Sequence, residues 1–170
     1  MTNFKAHVRD VPDFPKCGIV FKDIAPLLAN PTAFQGVIEE LANRWDGKVD
    51  AIAALDARGF LFGGALAARL QIPLGMVRKK GKLPRAAFQV AYGLEYGEDV
   101  VEMQEEAFAA GARVLVLDDL LATGGTAAAA CTLVKKVGAT VAGCAFIIEL
   151  TELNGRAKLG EYRIDSLMTY

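Results

Sequence analysis

The sequence predicts an α/β fold in which a mostly parallel, twisted sheet carries helices on both faces. Short runs of apolar, partly β-branched residues alternate along the chain with longer segments of helical periodicity. The chain has 170 residues, which suits one domain with a sizeable core, and no linker, repeat or low-complexity tract divides it. In such a sheet, ligands bind at the carboxyl ends of the strands.

The first half of the chain predicts a helix and then a strand, a helix and a strand. Asn30 and Pro31 indicate a helix start, because asparagine is a good cap residue and proline suits the first turn. Apolar residues then recur at helical spacing as far as Trp45. The next segments are a strand at Ala51 to Leu55, a helix at Arg58 to Leu70 and a strand at Ile72 to Val77.

The second half predicts two extended segments and a further β–α–β unit. The extended segments run from Phe88 to Tyr96 and from Val100 to Gln104 and flank a loop. The unit consists of a strand at Val114 to Leu117, a helix at Thr126 to Val137 and a strand at Thr140 to Leu150. Residues 17 to 28 fit none of this alternation, and we expect them to form a small, irregular cap over the sheet edge.

The stretch from Val114 to Ala128 is the strongest functional signal. Its apolar strand is followed by Asp118 and Asp119 and then by Thr-Gly-Gly-Thr before an alanine-rich helix. Glycines let the backbone approach an anion, and free amides at a helix start point toward it. The turn lacks the lysine of a P-loop and the spacing of a dinucleotide site, so it favours a sugar monophosphate whose vicinal hydroxyls bind the acids. The plainer alternative is a threonine-capped turn with solvated acids.

Two other loops carry charge at predicted strand ends. Asp56-Ala-Arg-Gly59 opens a helix and predicts a second anion site with Arg58 as an added cation, although Arg58 in a surface salt bridge is the alternative. The second loop, from Arg78 to about Gly97, favours neutralising a multiply charged small substrate, and its glycines suit a lid. A solvated face or a nucleic-acid patch is the alternative for its basic residues, which are Arg78, Lys79, Lys80, Lys82 and Arg85.

Composition argues against several classes of function. The net charge of -1 offers no general attraction to nucleic acid. No apolar run approaches the roughly 18 residues of a membrane span, and the first residues resemble no signal segment, so we expect a cytoplasmic protein without membrane partners. The three cysteines have no metal-ligand spacing, and the single histidine, His7, has no visible partner for a nucleophilic mechanism.

Taken together, the motifs resemble those of the adenine-specific type I phosphoribosyltransferases. The resemblance covers roughly residues 10 to 155 in the family's order. The matching stretches are Val114 to Thr126, Asp13-Phe-Pro-Lys-Cys-Gly-Ile-Val-Phe-Lys-Asp-Ile24, Leu55-Asp-Ala-Arg-Gly-Phe-Leu-Phe-Gly63, Arg78-Lys-Lys-Gly-Lys-Leu-Pro84, Leu94-Glu-Tyr-Gly97 and Glu149-Leu150.

The resemblance implies both an architecture and a reaction. The fold would be the type I phosphoribosyltransferase fold in a single domain of residues 1–170, with a cap (hood) formed by about residues 1–30 over the strand carboxyl ends and a flexible lid loop. The reaction would transfer the 5-phosphoribosyl group of phosphoribosyl pyrophosphate to adenine, giving AMP and pyrophosphate. The Mg²⁺ cofactor would be carried by the substrate's pyrophosphate without direct protein ligands. A homodimer is also implied, with part of Arg78 to Lys82 reaching the neighbouring site.

The resemblance also implies residue roles. Glu95 would be the general base, and Tyr96 would help the lid exclude water. Adenine would contact Val20, Phe21, Lys22 and Leu150. The ribose and its 5′-phosphate would be bound by Asp118, Asp119, Ala122, Thr123, Gly124, Gly125 and Thr126. Pyrophosphate would be bound by Asp56, Ala57, Arg58, Arg78, Lys79 and Lys82, with a cis peptide between Asp56 and Ala57.

Two alternatives remain open at this point. A transferase specific for another purine, such as xanthine, would share the phosphate-binding turn but should differ at residues 14 to 23 and 94 to 97. A non-catalytic regulator of the same fold would bind phosphoribosyl pyrophosphate as an effector. Such regulators tend to lose the lid acid or the arginine of the pyrophosphate loop, whereas Glu95 and Arg58 are both present.

Overall fold

The computed structural model describes residues 3–85, 87–93 and 98–170. The helices are α1 (Ala25–Ala29), α2 (Pro31–Trp45), α3 (Gly59–Leu70) and α4 (Gly125–Lys136), with short 3₁₀ turns at Phe4–His7, Thr151–Leu153 and Gly155–Lys158. The strands are β1 (Arg9–Pro12), β2 (Val20–Asp23), β3 (Ala51–Leu55), β4 (Leu74–Lys79), β5 (Ala87–Gly93), β6 (Glu98–Gln104), β7 (Arg113–Leu121), β8 (Thr140–Glu149) and β9 (Ile164–Thr169). None of the helices in these ranges is long and apolar enough to cross a membrane.

A seven-stranded sheet organises the part of the chain that the structure describes. Its strand order is β5-β6-β4-β3-β7-β8-β9. The pairs β4–β3, β3–β7, β7–β8 and β8–β9 are parallel, whereas β5 and β6 form an antiparallel hairpin that pairs with the end of β4. The predicted mostly parallel sheet is therefore confirmed. Strands β3 and β7 lie side by side at its centre, so the turns that follow them come together at one edge.

Helices pack on both faces of this sheet, as predicted. Residues of α4 share one core with alternate positions of the central strands, such as Ala53 and Val116. Residues of α2 and α3, including Trp45, share the other core with the intervening positions, such as Ile52 and Leu115. Successive side chains of a strand point to opposite faces, which is why a continuous apolar run serves both cores. All five residues of β3 are buried accordingly.

The cap contains more regular structure than predicted. Within residues 17 to 28 the chain forms β2 and α1, and β2 pairs with β1 as a separate two-stranded sheet. The expectation of an irregular segment was wrong because these strands have only four residues each, too few for a periodic pattern. Their pairing is supported by charges, since Arg9 lies 2.6 Å from Asp23 and Lys22 lies 2.7 Å from Asp10.

Strand β7 differs from the prediction in a way that bears on function. The sequence placed its end at Leu117, before the two acids, but the strand continues to Leu121. The apolar pattern is interrupted at the acids, while main-chain pairing is not: Leu120 and Leu121 remain in register with Ile148 and Glu149 of β8. Asp118 and Asp119 are therefore held by a rigid strand. The helix start at Asn30 is confirmed, with Asn30 Oδ1 accepting a hydrogen bond from the Ala33 amide at 3.0 Å.

Candidate active site

The acid pair lies at the centre of the candidate site. Asp119 is buried at 4% exposure, and Asp118 is largely enclosed. Burial, together with the neighbouring Asp119 carboxylate, raises the pKa of Asp118 well above its usual value. Burial also raises the pKa of Asp119, although the Arg58 guanidinium opposes this shift. Two adjacent acids in a poorly solvated position cost stability, which favours a functional over a structural role.

Arg58 is the cation nearest to this pair. Its Nη2 atom lies 2.9 Å from Asp119 Oδ2. The contact is an ion pair without hydrogen-bond geometry, and Asp119 Oδ2 is buried while accepting no hydrogen bond from any described residue. A buried carboxylate oxygen without a donor is suited to bind a hydroxyl group of a ligand. The alternative expected for Arg58 was a surface salt bridge, but the structure pairs it with a residue of the site.

The start of α3 lies directly against the acid pair. A Cβ atom added to Gly59 would lie 2.9 Å from Asp118 Oδ1 and 3.0 Å from the Leu117 carbonyl oxygen. Any larger residue would push α3 away from β7 and separate Arg58 from Asp119. From the sequence, Gly59 was predicted only as part of an anion-binding turn. Its packing role depends on β3 and β7 being neighbours in the sheet, which the sequence does not show.

The turn after β7 has the form that an anion site needs. Gly124 adopts a left-handed conformation with φ of 79°, and α4 begins at the next residue. The turn residues line a small cavity of about 80 Å³ together with Asp118. The predicted phosphate contacts from Ala122 to Thr126 lie around this cavity. Whether a phosphate binds them stays a prediction.

The turn after β3 has the backbone that the resemblance implied. The peptide bond between Asp56 and Ala57 is cis. Arg78 Nε lies 3.0 Å from Asp56 Oδ2, and Lys82 Nζ lies 3.5 Å from the same oxygen. Two of the predicted pyrophosphate-binding cations thus contact the loop that was predicted to bind pyrophosphate. Lys79 instead pairs with Asp99 at 2.8 Å, and this carboxylate raises the pKa of Lys79.

A cavity of about 350 Å³ joins the ends of β3, β4 and β7. Six of its lining residues are polar: Asp56, Lys79, Tyr92, Asp99, Asp118 and Thr126. Tyr92 accepts a hydrogen bond from Thr126 Oγ1 at 3.2 Å and donates one to Asp99 at 3.3 Å. Burial raises the pKa of Tyr92, which keeps it a neutral donor.

Three residues of this region were not predicted from the sequence. Tyr92 and Asp99 lie on strands β5 and β6, and they connect the lid hairpin to the phosphate-binding turn. The third, Glu102, is 4% exposed and accepts the amide hydrogens of Lys82 and Leu83 at 3.1 and 3.0 Å. No local pattern marks these residues, because the hairpin brings them together across the sheet. The predicted general base Glu95 and its neighbour Tyr96 lie outside the described residues.

The predicted adenine contacts lie on two elements. Val20, Phe21 and Lys22 belong to β2, whereas Leu150 follows β8. Val20 is 48% exposed, and the Arg58 guanidinium lies 5.0 Å from the centre of the Phe21 ring. Arg58 thus contacts both a predicted purine residue and a predicted ribose residue. This arrangement places the predicted purine and ribose sites next to each other.

The acid pair is the group best suited to the Mg²⁺ that the resemblance implies. Carboxylate oxygens are the ligands that Mg²⁺ prefers, and it usually binds one or two of them together with substrate phosphates and water. In the described ranges, no group of three or more His, Cys, Asp or Glu side chains could hold a metal ion. With no more than these two carboxylates, the donor set fits a Mg²⁺ that is held mainly by a phosphorylated substrate.

The chain is similar to known proteins in sequence and in fold. A family model for the phosphoribosyl transferase domain matches residues 24–167. The adenine phosphoribosyltransferase of Sorangium cellulosum is 56% identical over 158 residues, which cover 92% of this chain and 79% of that protein. The crystal structure of adenine phosphoribosyltransferase from Thermoanaerobacter pseudethanolicus is 49% identical and has a TM-score of 0.95, with 98% of each chain covered. The Saccharomyces cerevisiae enzyme, complexed with an imino-altritol bisphosphate and adenine, is 41% identical at a TM-score of 0.91, with 96% of each chain covered.

Proposed function

The chain belongs to the phosphoribosyltransferase family, and we infer from its site that it transfers the 5-phosphoribosyl group of phosphoribosyl pyrophosphate to adenine, giving AMP and pyrophosphate. One observation carries the chemistry. The ends of β3, β4 and β7 surround one cavity, whose lining includes Asp118 of the acid pair, Thr126 at the end of the phosphate-binding turn and the cation Lys79. The relatives named above supply the identity of the base. This reaction serves purine salvage.

Ribose and its phosphate are bound by β7 and the turn that follows it. Asp118 and Asp119 accept hydrogen bonds from the two ribose hydroxyls, and Asp119 Oδ2 is the oxygen with a vacant acceptor position. The amides of the turn from Ala122 to Gly125, and the hydroxyls of Thr123 and Thr126, donate to the 5′-phosphate. This division of roles is supported by rigidity, because the strand holds the acids while the glycine turn exposes its amides.

The pyrophosphate group lies on the other side of the anomeric carbon. The turn from Asp56 to Arg58 and the cations Arg78, Lys79 and Lys82 stabilise the charge that develops as pyrophosphate leaves. Mg²⁺, when bound with the substrate, neutralises further negative charge on the phosphate oxygens. Arg58 has to leave Asp119 when it turns toward the pyrophosphate. That movement frees the carboxylate for the ribose at the same moment.

Bond breaking at the anomeric carbon leads to a cationic, oxocarbenium-like sugar. Asp118 and Asp119 lie beside the sugar, and burial prevents water from screening their field. The raised pKa of Asp118 indicates that the pair tolerates two negative charges poorly in the free protein. Positive charge that develops on the sugar relieves this unfavourable interaction, so the pair stabilises the transition state more than the ground state.

Adenine binds between the cap and the end of β8. Phe21 stacks on the purine, main-chain groups of Val20 and Lys22 contact its edge, and Leu150 closes the opposite side. Adenine must also lose a ring proton, and Glu95 is the general base proposed for this step, with Tyr96 helping the lid to exclude water. Replacing Glu95 by glutamine should lower turnover by roughly 10²–10⁴-fold, measured at saturating substrates. Normal turnover of that variant would remove Glu95 from the mechanism.

The decisive experiment measures pyrophosphate release from phosphoribosyl pyrophosphate and Mg²⁺ with adenine, guanine, hypoxanthine and xanthine in turn. A cap carbonyl that accepts a hydrogen bond from the amine of adenine would face an oxygen in a 6-oxopurine. Leaving such buried acceptors unpaired discriminates by about 10⁴ or more, so adenine should react and the others should not. Equal rates with xanthine or guanine would indicate a related purine transferase. Binding without turnover of any base would indicate a regulator.

A homodimer is part of the proposal. Leu61 on α3 and Leu74 and Met76 on β4 are between 40% and 47% exposed, and exposed apolar side chains on neighbouring elements favour a contact with a second copy. Strand β4 continues from these side chains into Arg78 and Lys79, so a partner bound there would lie near the basic segment. Light scattering should give twice the monomer mass. An active monomer would reject the sharing of basic residues between sites.

The remaining part of the proposal concerns location. We expect the protein to be located in the cytoplasm, as suits an enzyme of purine salvage. Fractionation of cells that express the untagged protein would test this location. Recovery in a membrane or secreted fraction would contradict the expectation.

A further inference from the structure

Two backbone segments touch directly behind the phosphate-binding turn. Gly155, in the 3₁₀ turn Gly155–Lys158, lies against Gly124 with no side chain between them. A Cβ atom added to Gly124 would lie 2.3 Å from the Gly155 carbonyl oxygen, and one added to Gly155 would lie 2.2 Å from the Ala122 carbonyl oxygen. The shape of the turn from Ala122 to Gly125 therefore depends on where Gly155 is held.

Arg156 holds this segment in place through an ion pair with Glu149. Its Nε and Nη2 atoms each donate to a different Glu149 carboxylate oxygen at 2.6 Å. Ser166 Oγ donates to the same carboxylate at 2.6 Å, and Arg156 Nη1 donates to the Ile164 carbonyl at 3.3 Å. Hydrogen bonds from Arg156 lower the pKa of Glu149 and keep it ionised despite its burial at 3% exposure. Arg156, Glu149 and Ser166 are called the Arg156 cluster below.

The Arg156 cluster is also fixed to the strand that carries the acid pair. Glu149 is in register with Leu121 at the end of β7, and the Leu150 amide donates to the Leu121 carbonyl at 2.9 Å. Leu121 immediately precedes Ala122, the first residue of the phosphate-binding turn. The turn thus begins directly after the end of β7, and Gly155 contacts it at Gly124. Both constraints depend on residues next to Glu149.

We propose that Arg156 is a positioning residue for the 5′-phosphate. Through the bidentate ion pair with Glu149, it fixes Gly155 against Gly124 and thereby keeps the turn amides directed toward the phosphate. The inference rests on the proposed function, because it assumes that the turn binds the phosphate of a phosphoribosyl group. The hydrogen bonds of Arg156 to described residues go to Glu149, Ile164 and Ser166 and not to the turn, so its effect is transmitted through the backbone of Gly155.

The planar guanidinium makes this role specific to arginine. Lysine would keep the positive charge near the buried Glu149 but cannot donate two parallel hydrogen bonds to one carboxylate. The substitution Arg156→Lys therefore loosens the segment without leaving a buried charge unpaired. Gly155→Ala tests the contact itself. Gly155 has no positive φ, so alanine acts there through its close approach to the Ala122 carbonyl oxygen, at 2.2 Å, and to the Leu121 side chain, at 2.9 Å.

The matched control is Arg113→Lys. Arg113 also forms a bidentate pair, with Nε 3.0 Å from Asp50 Oδ2 and Nη2 2.7 Å from Asp50 Oδ1. This pair lies at the amino end of β7, whereas the phosphate-binding turn follows its carboxyl end. If weakening a bidentate arginine–carboxylate pair anywhere in the protein were enough to reduce binding, Arg113→Lys would also bind ribose 5-phosphate more weakly.

The experiment measures binding of ribose 5-phosphate and of pyrophosphate by calorimetry, and the KM for each substrate. In Arg156→Lys and Gly155→Ala the Kd for ribose 5-phosphate should rise about tenfold, because small displacements of binding groups have large effects. In the same two variants, the Kd for pyrophosphate should change by no more than about twofold. In Arg113→Lys, the Kd values for ribose 5-phosphate and for pyrophosphate should both stay within about twofold. The KM for phosphoribosyl pyrophosphate should rise more than kcat falls, with the KM for adenine nearly unchanged.

Each other outcome overturns a defined statement. An unchanged Kd for ribose 5-phosphate, or equal weakening of both ligands, rejects the positioning role. A raised KM for adenine alone would mean that the Arg156 cluster supports Leu150 instead. If Arg156→Lys loses its cooperative thermal transition, Gly155→Ala decides by the same criteria, and normal binding in it rejects the role. Failure of the unsubstituted protein to bind ribose 5-phosphate would reject the proposed function itself.

Discussion

The two ends of β7 carry charged side chains in opposite situations. At the amino end, Arg113 and Asp50 are half exposed and fully paired, and the Arg113 amide also donates to Asp50 at 2.8 Å. These hydrogen bonds lower the pKa of Asp50 to about 2. At the carboxyl end, Asp118 and Asp119 are enclosed, their pKa values are raised, and one buried oxygen accepts no hydrogen bond from any described residue.

The difference separates charges that stabilise the fold from charges that are kept for a ligand. The Asp50 carboxylate is stabilised by groups of the chain itself, so its ionised form favours the folded state. The carboxylates of Asp118 and Asp119 lose hydration without gaining comparable partners, so their ionised forms oppose folding. A substrate with two hydroxyl donors and a developing positive charge supplies the missing partners. Removing a carboxylate at the carboxyl end should therefore raise stability and lower activity, whereas removing the carboxylate at the amino end should lower stability alone.

Among the changes that test this comparison, Asp118→Asn should give the largest effect. The amide keeps the shape of the side chain, and its oxygen can still accept the Asp119 amide hydrogen, which now lies 2.8 Å from Asp118 Oδ1. Loss of the negative charge beside the sugar should lower kcat/KM by about 10²–10³-fold. The melting temperature should rise, by about 2–4 °C for each kcal/mol that is relieved. Steady-state kinetics and differential scanning calorimetry on the same preparation measure both changes.

A fall in both quantities would contradict the comparison. It would mean that Asp118 is a structural acid whose charge is satisfied within the chain. The companion variant Asp118→Ala distinguishes lost charge from lost shape, since it removes the side chain and leaves space beside Gly59. We expect it to lose as much activity as Asp118→Asn but to gain less stability.

Arg58→Gln should have the second largest effect, with both quantities falling. Arg58 forms the ion pair with Asp119 and is also proposed to contact pyrophosphate, so kcat/KM should fall by about 10–10²-fold. The melting temperature should also fall, because Asp119 keeps its buried charge after losing the cation at 2.9 Å. The opposite signs of the stability changes in Arg58→Gln and Asp118→Asn are the measurement of interest. A stabilised Arg58→Gln would show that the ion pair is unfavourable in the folded protein.

The sequence predicted the features that are local in the chain, but it did not predict those that depend on contacts between distant segments. The acid pair and its glycine turn are adjacent along the chain, so their order alone predicted a site for a sugar monophosphate, and the resemblance to a family narrowed it to a phosphoribosyl group. The packing of Gly59 on Asp118 and of Gly155 on Gly124 depends on contacts between segments that are far apart in sequence. The continuation of β7 through the acids depends on pairing with β8, which no local pattern contains. Asp50 and Arg113 gave no signal for the same reason.

Asp50→Asn should have a smaller effect, limited to stability. The substitution removes the ion pair with Arg113 but affects no residue near the cavity, so kcat/KM should stay within about twofold. The melting temperature should fall at neutral pH, because the carboxylate with the lowered pKa favours the folded state. Calorimetry and kinetics at pH 7 test this. A large loss of activity would imply that the amino end of β7 transmits its geometry to the site.

The smallest expected effect is the pH dependence of the stability differences that Asp118→Asn and Asp50→Asn cause. This dependence tests most directly whether each carboxylate stabilises or destabilises the folded state. An acid with a raised pKa destabilises the fold where it is ionised, and this contribution disappears as the pH falls through the raised value toward the ordinary 3.8. The advantage of Asp118→Asn should therefore shrink between neutral pH and about pH 4. An acid with a lowered pKa stabilises the fold above 3.8 and loses that contribution only as the pH falls toward about 2. The deficit of Asp50→Asn should therefore persist at pH 4, where the advantage of Asp118→Asn has already declined. Melting temperatures of the three proteins from pH 8 to pH 3 would reveal this order, and a reversed order would mean that the two ends of β7 had been assigned the wrong roles.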